Sequence, residues 1–141
     1  MARWGALAFA AVLGLPSAAP AQNAAAGAVA FEAQCSACHV VVSSSGETLA
    51  GRNGRAGPNL FGLIGRPAGT VPGYAYSPSI IEAGRSGLTW TEAQFVGYMQ
   101  NPTGYIRDFL GDPRAQQQMA FRVRSDADAR DLYAFLVSLG R

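Results

Sequence analysis

The C-terminal part of the chain carries the clearest periodicity of hydrophobic positions. An apolar stripe with the spacing i, i+3, i+4 and i+7 is formed by Leu132, Phe135, Leu136 and Leu139. This spacing places the four side chains on one face of an α-helix. Ser125-Asp126-Ala127-Asp128 precedes them and resembles a capping box, and its aspartates suit the positive end of a helix dipole. The pattern predicts an amphipathic helix that begins after Ser125.

A second helix is predicted near the start of the domain. The residues from Ala24 to Cys38 are mostly helix formers, and Gly27 and Phe31 lie one turn apart on one face. A glycine on that face lets another backbone come close. We therefore expect the apolar stripe of the C-terminal helix to cross this one at Gly27 and Phe31.

The middle of the chain shows less periodicity. Residues 40–88 have no sustained period of two or 3.6 and are rich in glycine and proline, which is unusual for a compact domain. Thr89-Trp90-Thr91-Glu92 then matches a capping box and predicts a helix that runs to Gln100, where Asn101-Pro102 ends it. The pattern predicts an all-α domain with three main helices and long loops.

The N-terminal residues have the features of a secretory signal peptide. Arg3 is followed by an apolar run from Trp4 to Leu15 and by the small-residue site Ala19-Pro20-Ala21. The run is shorter than the roughly 18 residues that a spanning helix requires. We assign residues 1–21 to a signal peptide cleaved after Ala21, and residues 22–141 to one periplasmic domain without a retained anchor.

Basic charge in this chain comes from arginine alone. The 141 residues contain 11 arginines, no lysine and 9 acidic side chains, and the loss of Arg3 leaves 10 against 9, a formal charge of +1. A balance so close to zero does not suggest a nucleic-acid partner.

The only two cysteines and the only histidine stand together in Cys35-Ser36-Ala37-Cys38-His39. The pattern C-x-x-C-H is the signature of c-type haem attachment. Each thiol can form a thioether to the porphyrin, and the imidazole that follows can bind the iron as an axial ligand. A chain wrapped around a large apolar cofactor would also explain the irregular residues 40–88.

Three other uses of this motif compete with haem. A structural zinc site needs four ligands, and the chain has only three cysteine and histidine side chains. A thiol-disulfide exchanger places its C-x-x-C pair at the start of a helix in a βαβ unit, whereas here a predicted helix leads into the pair. A structural disulfide, which export would favour, leaves His39 without a role. The sequence therefore favours one covalently bound haem c.

Further matches, in order along residues 27–138, resemble class I cytochrome c, the family that includes mitochondrial cytochrome c and periplasmic carriers of bacteria. The matching stretches are Gly57-Pro58-Asn59-Leu60, Gly65-Arg66, Pro72-Gly73-Tyr74-Ala75-Tyr76, Leu88-Thr89-Trp90, Tyr98, Asn101-Pro102, Tyr105-Ile106, Met119-Ala120-Phe121 and Asp131-Leu132. The resemblance implies an all-α class I cytochrome c fold with loops wrapped around one haem. It also implies a monomeric one-electron carrier, not an enzyme, that serves a quinol–cytochrome c reductase and a terminal oxidase or reaction centre.

Met119 is the candidate for the second axial ligand. Met1 leaves with the signal peptide and Met99 lies within a predicted helix, whereas Met119 precedes the last helix in a loop. A methionine is also a common filler of gaps in a core, so the residues alone leave both roles open. The resemblance places the family's sulfur ligand at Met119, and His/Met ligation raises the reduction potential.

The resemblance also implies roles for residues around the haem. The Pro58 carbonyl would accept a hydrogen bond from the ligand histidine and fix its orientation. Tyr98 would stand near the sulfur ligand, and the propionates would be held by Arg66, Tyr76 and Trp90. Without the family, the tyrosines and the tryptophan are core aromatics whose polar tips need partners, and Arg66 is a solvated loop charge.

The chain departs from the mitochondrial pattern most clearly before Met119. The segment from Tyr105 to Met119 is longer here, as are those from His39 to Pro58 and from Tyr76 to Trp90, and Gln117 and Gln118 replace a threonine and a lysine. A displaced methionine would leave an open iron, as in a haem enzyme or a gas-binding domain. The long segment is the one sequence feature that favours this alternative.

The lack of lysine also bears on partner binding. Two haem propionates would bring the mature charge near −1, so long-range steering is expected to be weak. Positive charge at the rim of the haem would come from arginines such as Arg52, Arg55 and Arg114, which could also be scattered surface charges. We expect a small, transient and largely apolar contact with redox partners.

Overall fold

The computed structural model describes Met1 and residues 22–140, so the predicted signal peptide after Met1 and its cleavage site lie outside the described residues. The described residues contain five helices and a short hairpin, joined by loops. These elements are α1 (Ala24–Gln34), β1 (Val41–Val42), β2 (Thr48–Ala50), α2 (Pro78–Arg85), α3 (Glu92–Gln100), α4 (Pro102–Leu110) and α5 (Asp126–Ser138). The two strands are antiparallel, and Val41 is paired with Ala50. The predicted all-α fold class is confirmed.

The predicted crossing of the first and last helices is present. A Cβ placed on Gly27 would overlap the backbone carbonyl of Asp131 and lie 2.7 Å from the Cβ of Phe135, so the two backbones are in close contact. The rings of Phe31 and Phe135 lie 5.6 Å apart. Leu132 is buried in the same core. Helices α1 and α5 therefore pack directly against each other.

Helix α1 ends earlier than its composition predicts. It stops at Gln34, and the C-x-x-C-H residues form a separate turn in which the backbone N–H groups of Cys38 and His39 both donate to the Cys35 carbonyl, at 3.0 and 2.9 Å. This turn replaces the regular hydrogen-bond pattern of the helix. Both cysteines and the histidine therefore lie outside the helix.

Helix α3 begins two residues later than the predicted capping box implies. The N-cap is Thr91 and not Thr89, because the Thr91 side chain accepts the Gln94 N–H. Thr89 lies in an isolated bridge to Pro67 and donates to the Gln94 side chain instead. The N-cap of α5 is Ser125, as predicted, since its side chain accepts the Asp128 N–H at 3.1 Å. The Asp128 carboxylate accepts from Gln34 of α1 instead of completing the box.

Two helices lie in segments where the sequence predicted none. Asn101-Pro102 ends α3 as expected, but Asn101 also accepts the Gly104 N–H and so caps α4. Helix α2 likewise begins with Pro78 after Ser77. Proline is well tolerated in the first turn of a helix, because a backbone N–H at that position has no carbonyl acceptor within the helix. Within the described residues, no helix is long and apolar enough to cross a membrane.

Candidate functional site

The turn after α1, helix α3 and the loops on either side of it enclose an apolar cavity of about 460 Å³. Eight of the nine predicted site residues line it: Cys35, Cys38, His39, Pro58, Tyr76, Trp90, Tyr98 and Met119. The exception is Arg66. These residues are far apart in the sequence, and the fold brings them around one space.

The two cysteines lie at the edge of this cavity as free thiols. Cys38 is exposed and Cys35 is half-buried. Burial, and to a lesser degree the neighbouring Cys38, raises the pKa of the Cys35 thiol to about 12. A thiol-disulfide exchanger attacks through a thiolate at neutral pH, so the buried Cys35 does not suit that role.

The hydrogen bond of His39 fixes which ring nitrogen is available. Nδ1 lies 2.9 Å from the Pro58 carbonyl oxygen, and because a carbonyl can only accept, Nδ1 carries the proton. Burial lowers the pKa of His39, although the bond to Pro58 opposes this shift. The neutral ring therefore has a free lone pair on Nε2, which is the form that binds a metal.

Gly57 supports His39 and was not singled out in the sequence as a site residue. A Cβ at this position would overlap the imidazole ring. The Gly57 N–H donates to the Cys38 carbonyl at 2.8 Å. Asn59 then joins the same loop to β1, since its side chain both accepts from and donates to the backbone of Val42. The matched stretch Gly57-Pro58-Asn59 was the available signal, but the contact with His39 is not visible in it.

Aromatic side chains cover another side of the cavity. The rings of Trp90 and Tyr98 meet edge to face at 4.9 Å, and Tyr74 packs on Tyr76 in the same way at 4.7 Å. The Tyr98 hydroxyl donates to Gln117 Oε1 at 2.9 Å, two residues before Met119. Burial raises the pKa of Tyr98, so the hydroxyl keeps its proton at neutral pH.

Three consecutive glutamines anchor the segment that carries Met119. The Gln116 N–H donates to Ser79 at 3.1 Å, and its carbonyl accepts from Ser77 at 3.0 Å. Gln118 donates to the Ala75 carbonyl at 2.8 Å. The segment is therefore attached to α2 and to the residues before it, which the sequence did not predict.

Arg66 does not line the cavity. Its guanidinium donates to the Phe61 carbonyl oxygen at 2.8 Å and so closes a loop of the backbone. It is close enough to Tyr76 for its charge to oppose the rise that burial produces in the pKa of that residue. The three rim arginines proposed from the sequence, Arg52, Arg55 and Arg114, are exposed and also do not line the cavity.

The residues present fit a covalently held haem. The walls are mostly apolar, two thiols are free, one imidazole presents an unprotonated Nε2, and two thioethers, of Met99 in α3 and Met119 in the loop before α5, lie in the same cavity. By contrast, in the part of the chain that the structure describes, no three His, Cys, Asp or Glu side chains form a group that could hold a metal ion by themselves.

The family model described as "Cytochrome c" matches residues 24–140, nearly all of the described domain. The chain belongs to the cytochrome c family. It therefore carries one covalently bound haem c and transfers electrons, and it is not an enzyme. The cytochrome c fold predicted from the sequence is the one observed.

Similar proteins include cytochromes c2 and a cytochrome c-550. Cytochrome c2 of Rhodovulum adriaticum is 54% identical over 118 residues, which cover 84% of this cytochrome and 93% of the relative. The crystal structure of cytochrome c2 from Rhodobacter sphaeroides has a TM-score of 0.82 at 42% identity, and the match covers 86% of this chain and 99% of that one. Ferric cytochrome c-550 from Paracoccus versutus has a TM-score of 0.78 at 30% identity, and the match covers 86% and 100% of the two chains.

Proposed function

We propose that this cytochrome c is a periplasmic one-electron carrier whose haem is attached through Cys35 and Cys38 and whose iron is bound by His39 and Met119. It accepts electrons from a quinol–cytochrome c reductase and passes them to a terminal oxidase or a photosynthetic reaction centre. The single observation that carries the proposal is that an imidazole with a free Nε2 and a thioether line the same apolar cavity beside two free thiols.

The anchoring of Met119 supports a carrier over an enzyme or a gas-binding domain. The long segment before Met119 was the only feature that favoured an open iron. Hydrogen bonds that Gln116, Gln117 and Gln118 donate or accept attach this segment to α2, α3 and the loop before α2. An anchored segment would keep the Met119 sulfur in the cavity, where it could hold the second axial position of the haem iron.

The bound haem supplies an iron that alternates between the ferric and ferrous states. The protein's own contribution is to hold its surroundings constant during that change. Pro58 keeps the His39 proton on Nδ1, and the buried Trp90 and Tyr98 help to exclude water. Exposed residues of the rim, Ala37, Cys38, Ala120 and Phe121, leave one edge open to a partner.

The absorption spectrum of the reduced holoprotein, with and without carbon monoxide, tests the ligand assignment. Two filled axial positions predict a low-spin spectrum that carbon monoxide does not change. A shift on adding carbon monoxide would show an open or easily opened site and would favour the gas-binding alternative.

Extraction with acidified acetone tests the covalent attachment. The colour should remain with the protein, and a Cys35→Ala, Cys38→Ala double variant is the matched control in which any bound haem should extract. Complete extraction from the native protein would contradict the attachment.

The location and the cleavage site are tested together. The mature protein should be released with the periplasmic fraction and should begin at Gln22 on N-terminal sequencing. A protein that keeps residues 1–21 in the membrane fraction would contradict the cleaved signal peptide.

A further inference from the structure

Three glycines in the loop after β2 pack against His39. Gly51, Gly54 and Gly57 are spaced three residues apart. A Cβ would lie 2.7 Å from the His39 carbonyl oxygen at Gly51 and 2.5 Å from the His39 backbone nitrogen at Gly54, and at Gly57 it would overlap the imidazole ring. The loop therefore lies along His39 with no room for a side chain at any of the three positions.

The residues between these glycines are directed to solvent. They are Arg52, Asn53, Arg55 and Ala56, and each is exposed. Among the described residues, neither the Asn53 side chain nor the Gly54 N–H makes a hydrogen bond, and the bonds of this loop lie toward its two ends. The amide of Asn53 and the N–H that follows it are therefore not engaged elsewhere.

The other three asparagines of the chain are protected by their surroundings. The Asn23 side chain caps α1, and the Asn59 side chain both accepts from and donates to the Val42 backbone. Asn101 precedes a proline, which has no N–H. Among the four asparagines, Asn53 alone combines a free side-chain amide with a glycine on its C-terminal side.

We propose that Asn53 and Gly54 form a site of spontaneous deamidation. Asparagine is a chemically labile residue, and a following glycine gives its backbone the greatest freedom to react. The Gly54 nitrogen attacks the side-chain carbonyl carbon of Asn53, a new C–N bond forms, and ammonia leaves with the proton of that nitrogen. Water then opens the resulting cyclic imide at one of its two carbonyl groups, which gives either aspartate or isoaspartate.

The isoaspartate product would disturb the contact with His39. Its main chain passes through the former side chain, so one methylene group is added to the backbone before Gly54. Because the three glycines lie against one residue with a regular spacing, the longer chain cannot keep all three contacts. The effect on the haem rests on the proposed function, since it takes His39 as the iron ligand.

The aspartate product would have a smaller effect. It keeps the length of the backbone and adds one negative charge at an exposed position between Arg52 and Arg55. The two products therefore separate the effect of charge from the effect of backbone length.

The first test follows the modification itself in the purified holoprotein, incubated at mildly alkaline pH to promote loss of the attacking proton. Peptide mass mapping should show replacement of the amide by an acid at Asn53 before Asn23 or Asn59 reacts, and a protein-isoaspartate methyltransferase should label the same peptide. Asn53→Ser is the matched control and should give no label there. Earlier reaction at another asparagine, or no label at Asn53, would overturn the proposal.

The second test compares the products after separation by ion exchange. The isoaspartate form should melt at a lower temperature and lose part of the low-spin spectrum, whereas freshly prepared Asn53→Asp should match the native protein in both. Native melting and a native spectrum in the isoaspartate form would contradict the proposed link to His39. Binding of carbon monoxide by fresh, unmodified protein would instead contradict the proposed function, and the mass and the label would still decide the deamidation site.

Discussion

Gly57 lies against the imidazole of His39, and the position has room only for a hydrogen atom. The same residue donates its N–H to the Cys38 carbonyl, and Pro58, which follows it, accepts the His39 Nδ1–H. Two consecutive residues therefore fix the ring from its face and from its edge. This is why the neutral ring with a free Nε2 is the form that the fold selects.

The substitution Gly57→Ala should displace the ring of His39. A methyl group would overlap the imidazole, and relief of such overpacking typically costs about 1–3 kcal/mol. We expect a lower unfolding midpoint in urea and a partial loss of the low-spin spectrum of the holoprotein.

Gly65→Ala provides the control for Gly57→Ala. Gly65 has a φ of 79° with no atom near its missing Cβ, so alanine there introduces backbone strain without touching the histidine. It should reduce stability but leave the spectrum unchanged. A native spectrum in Gly57→Ala would show that the ring is not held by this contact.

Met119→Ala should have a different signature, because it would remove the proposed second ligand and leave the histidine in place. The far-red absorption of the ferric form should disappear, the reduction potential should fall, and the reduced protein should bind carbon monoxide. Met99 also lines the cavity but lies within α3, so Met99→Leu, which conserves volume, should change none of these. Unchanged spectra in Met119→Ala would contradict the assignment.

Among the helices, α1 and α5 pack closely against each other. The contact depends on Gly27, whose missing side chain lets the Asp131 carbonyl approach. Phe31 and Phe135 then pack one turn further along. Helices of 11 and 13 residues are marginally stable by themselves in water, so each depends on packing against the other.

Gly27→Val should force these two helices apart. A bulky group at a tight crossing costs roughly 1–3 kcal/mol or more, and the melting temperature of the holoprotein should fall clearly. Ala25→Val adds a β-branched side chain to the exposed face of the same helix and should cost only a few tenths of a kcal/mol, in the range of helix propensity differences. Equal melting temperatures for the two variants would show that the crossing tolerates a side chain.

The elements that the sequence predicted are those with local signals. The stripe of α5 and its Ser125 cap are local, and so is the spacing of Gly27 and Phe31 in α1. Helices α2 and α4 were missed because each is short and begins with proline. Pro102 was interpreted only as the end of α3, and Pro78 only as part of the irregular segment 40–88. The cap of α3 was placed two residues early because Thr89 and Thr91 both match the pattern, and only the contact of Gln94 distinguishes them.

The residues of the site also divide into those with a local signal in the sequence and those without one. Cys35, Cys38 and His39 follow from one contiguous motif, and the resemblance supplied the places of Met119 and Pro58. Gly57 and Gln117 could not be found, because each acts on a residue far away in the sequence, His39 and Tyr98 respectively. Such pairings arise only when the loops are folded around the cavity.

The positive and negative charges of the whole molecule are nearly equal in number. If residues 1–21 are removed as proposed, ten arginines face nine acidic side chains, and two propionates would bring the sum to about −1. Several of these charges are already paired or turned to the backbone, such as Arg130 with Glu92 at 2.9 Å and Arg107 with the Ala115 carbonyl. Apolar surface is present at the rim of the cavity, where Phe121 is 49% exposed.

Electron transfer to the partner should therefore depend little on salt. The second-order rate should stay nearly flat as the ionic strength rises through the range in which the Debye length falls from about 30 to 8 Å. A contact made mainly by apolar rim residues is not screened, whereas a concentrated charge patch is. A tenfold drop in rate would reveal such a patch, and Phe121→Ala, which keeps the charge, should slow the reaction at all salt concentrations.

The first turn of α1 also links folding to maturation. Asn23 caps this helix with its side chain, and its backbone N–H donates to Asp131 of α5 at 2.8 Å. A leader peptidase that cuts after Ala21 spares both interactions, but an aminopeptidase that trims two more residues would remove them together. Loss of an N-cap costs about 1 kcal/mol, so a mature chain starting at Ala24 should melt earlier than one starting at Gln22. The stability of the α1–α5 pair thus depends on the residue at which the mature N-terminus begins.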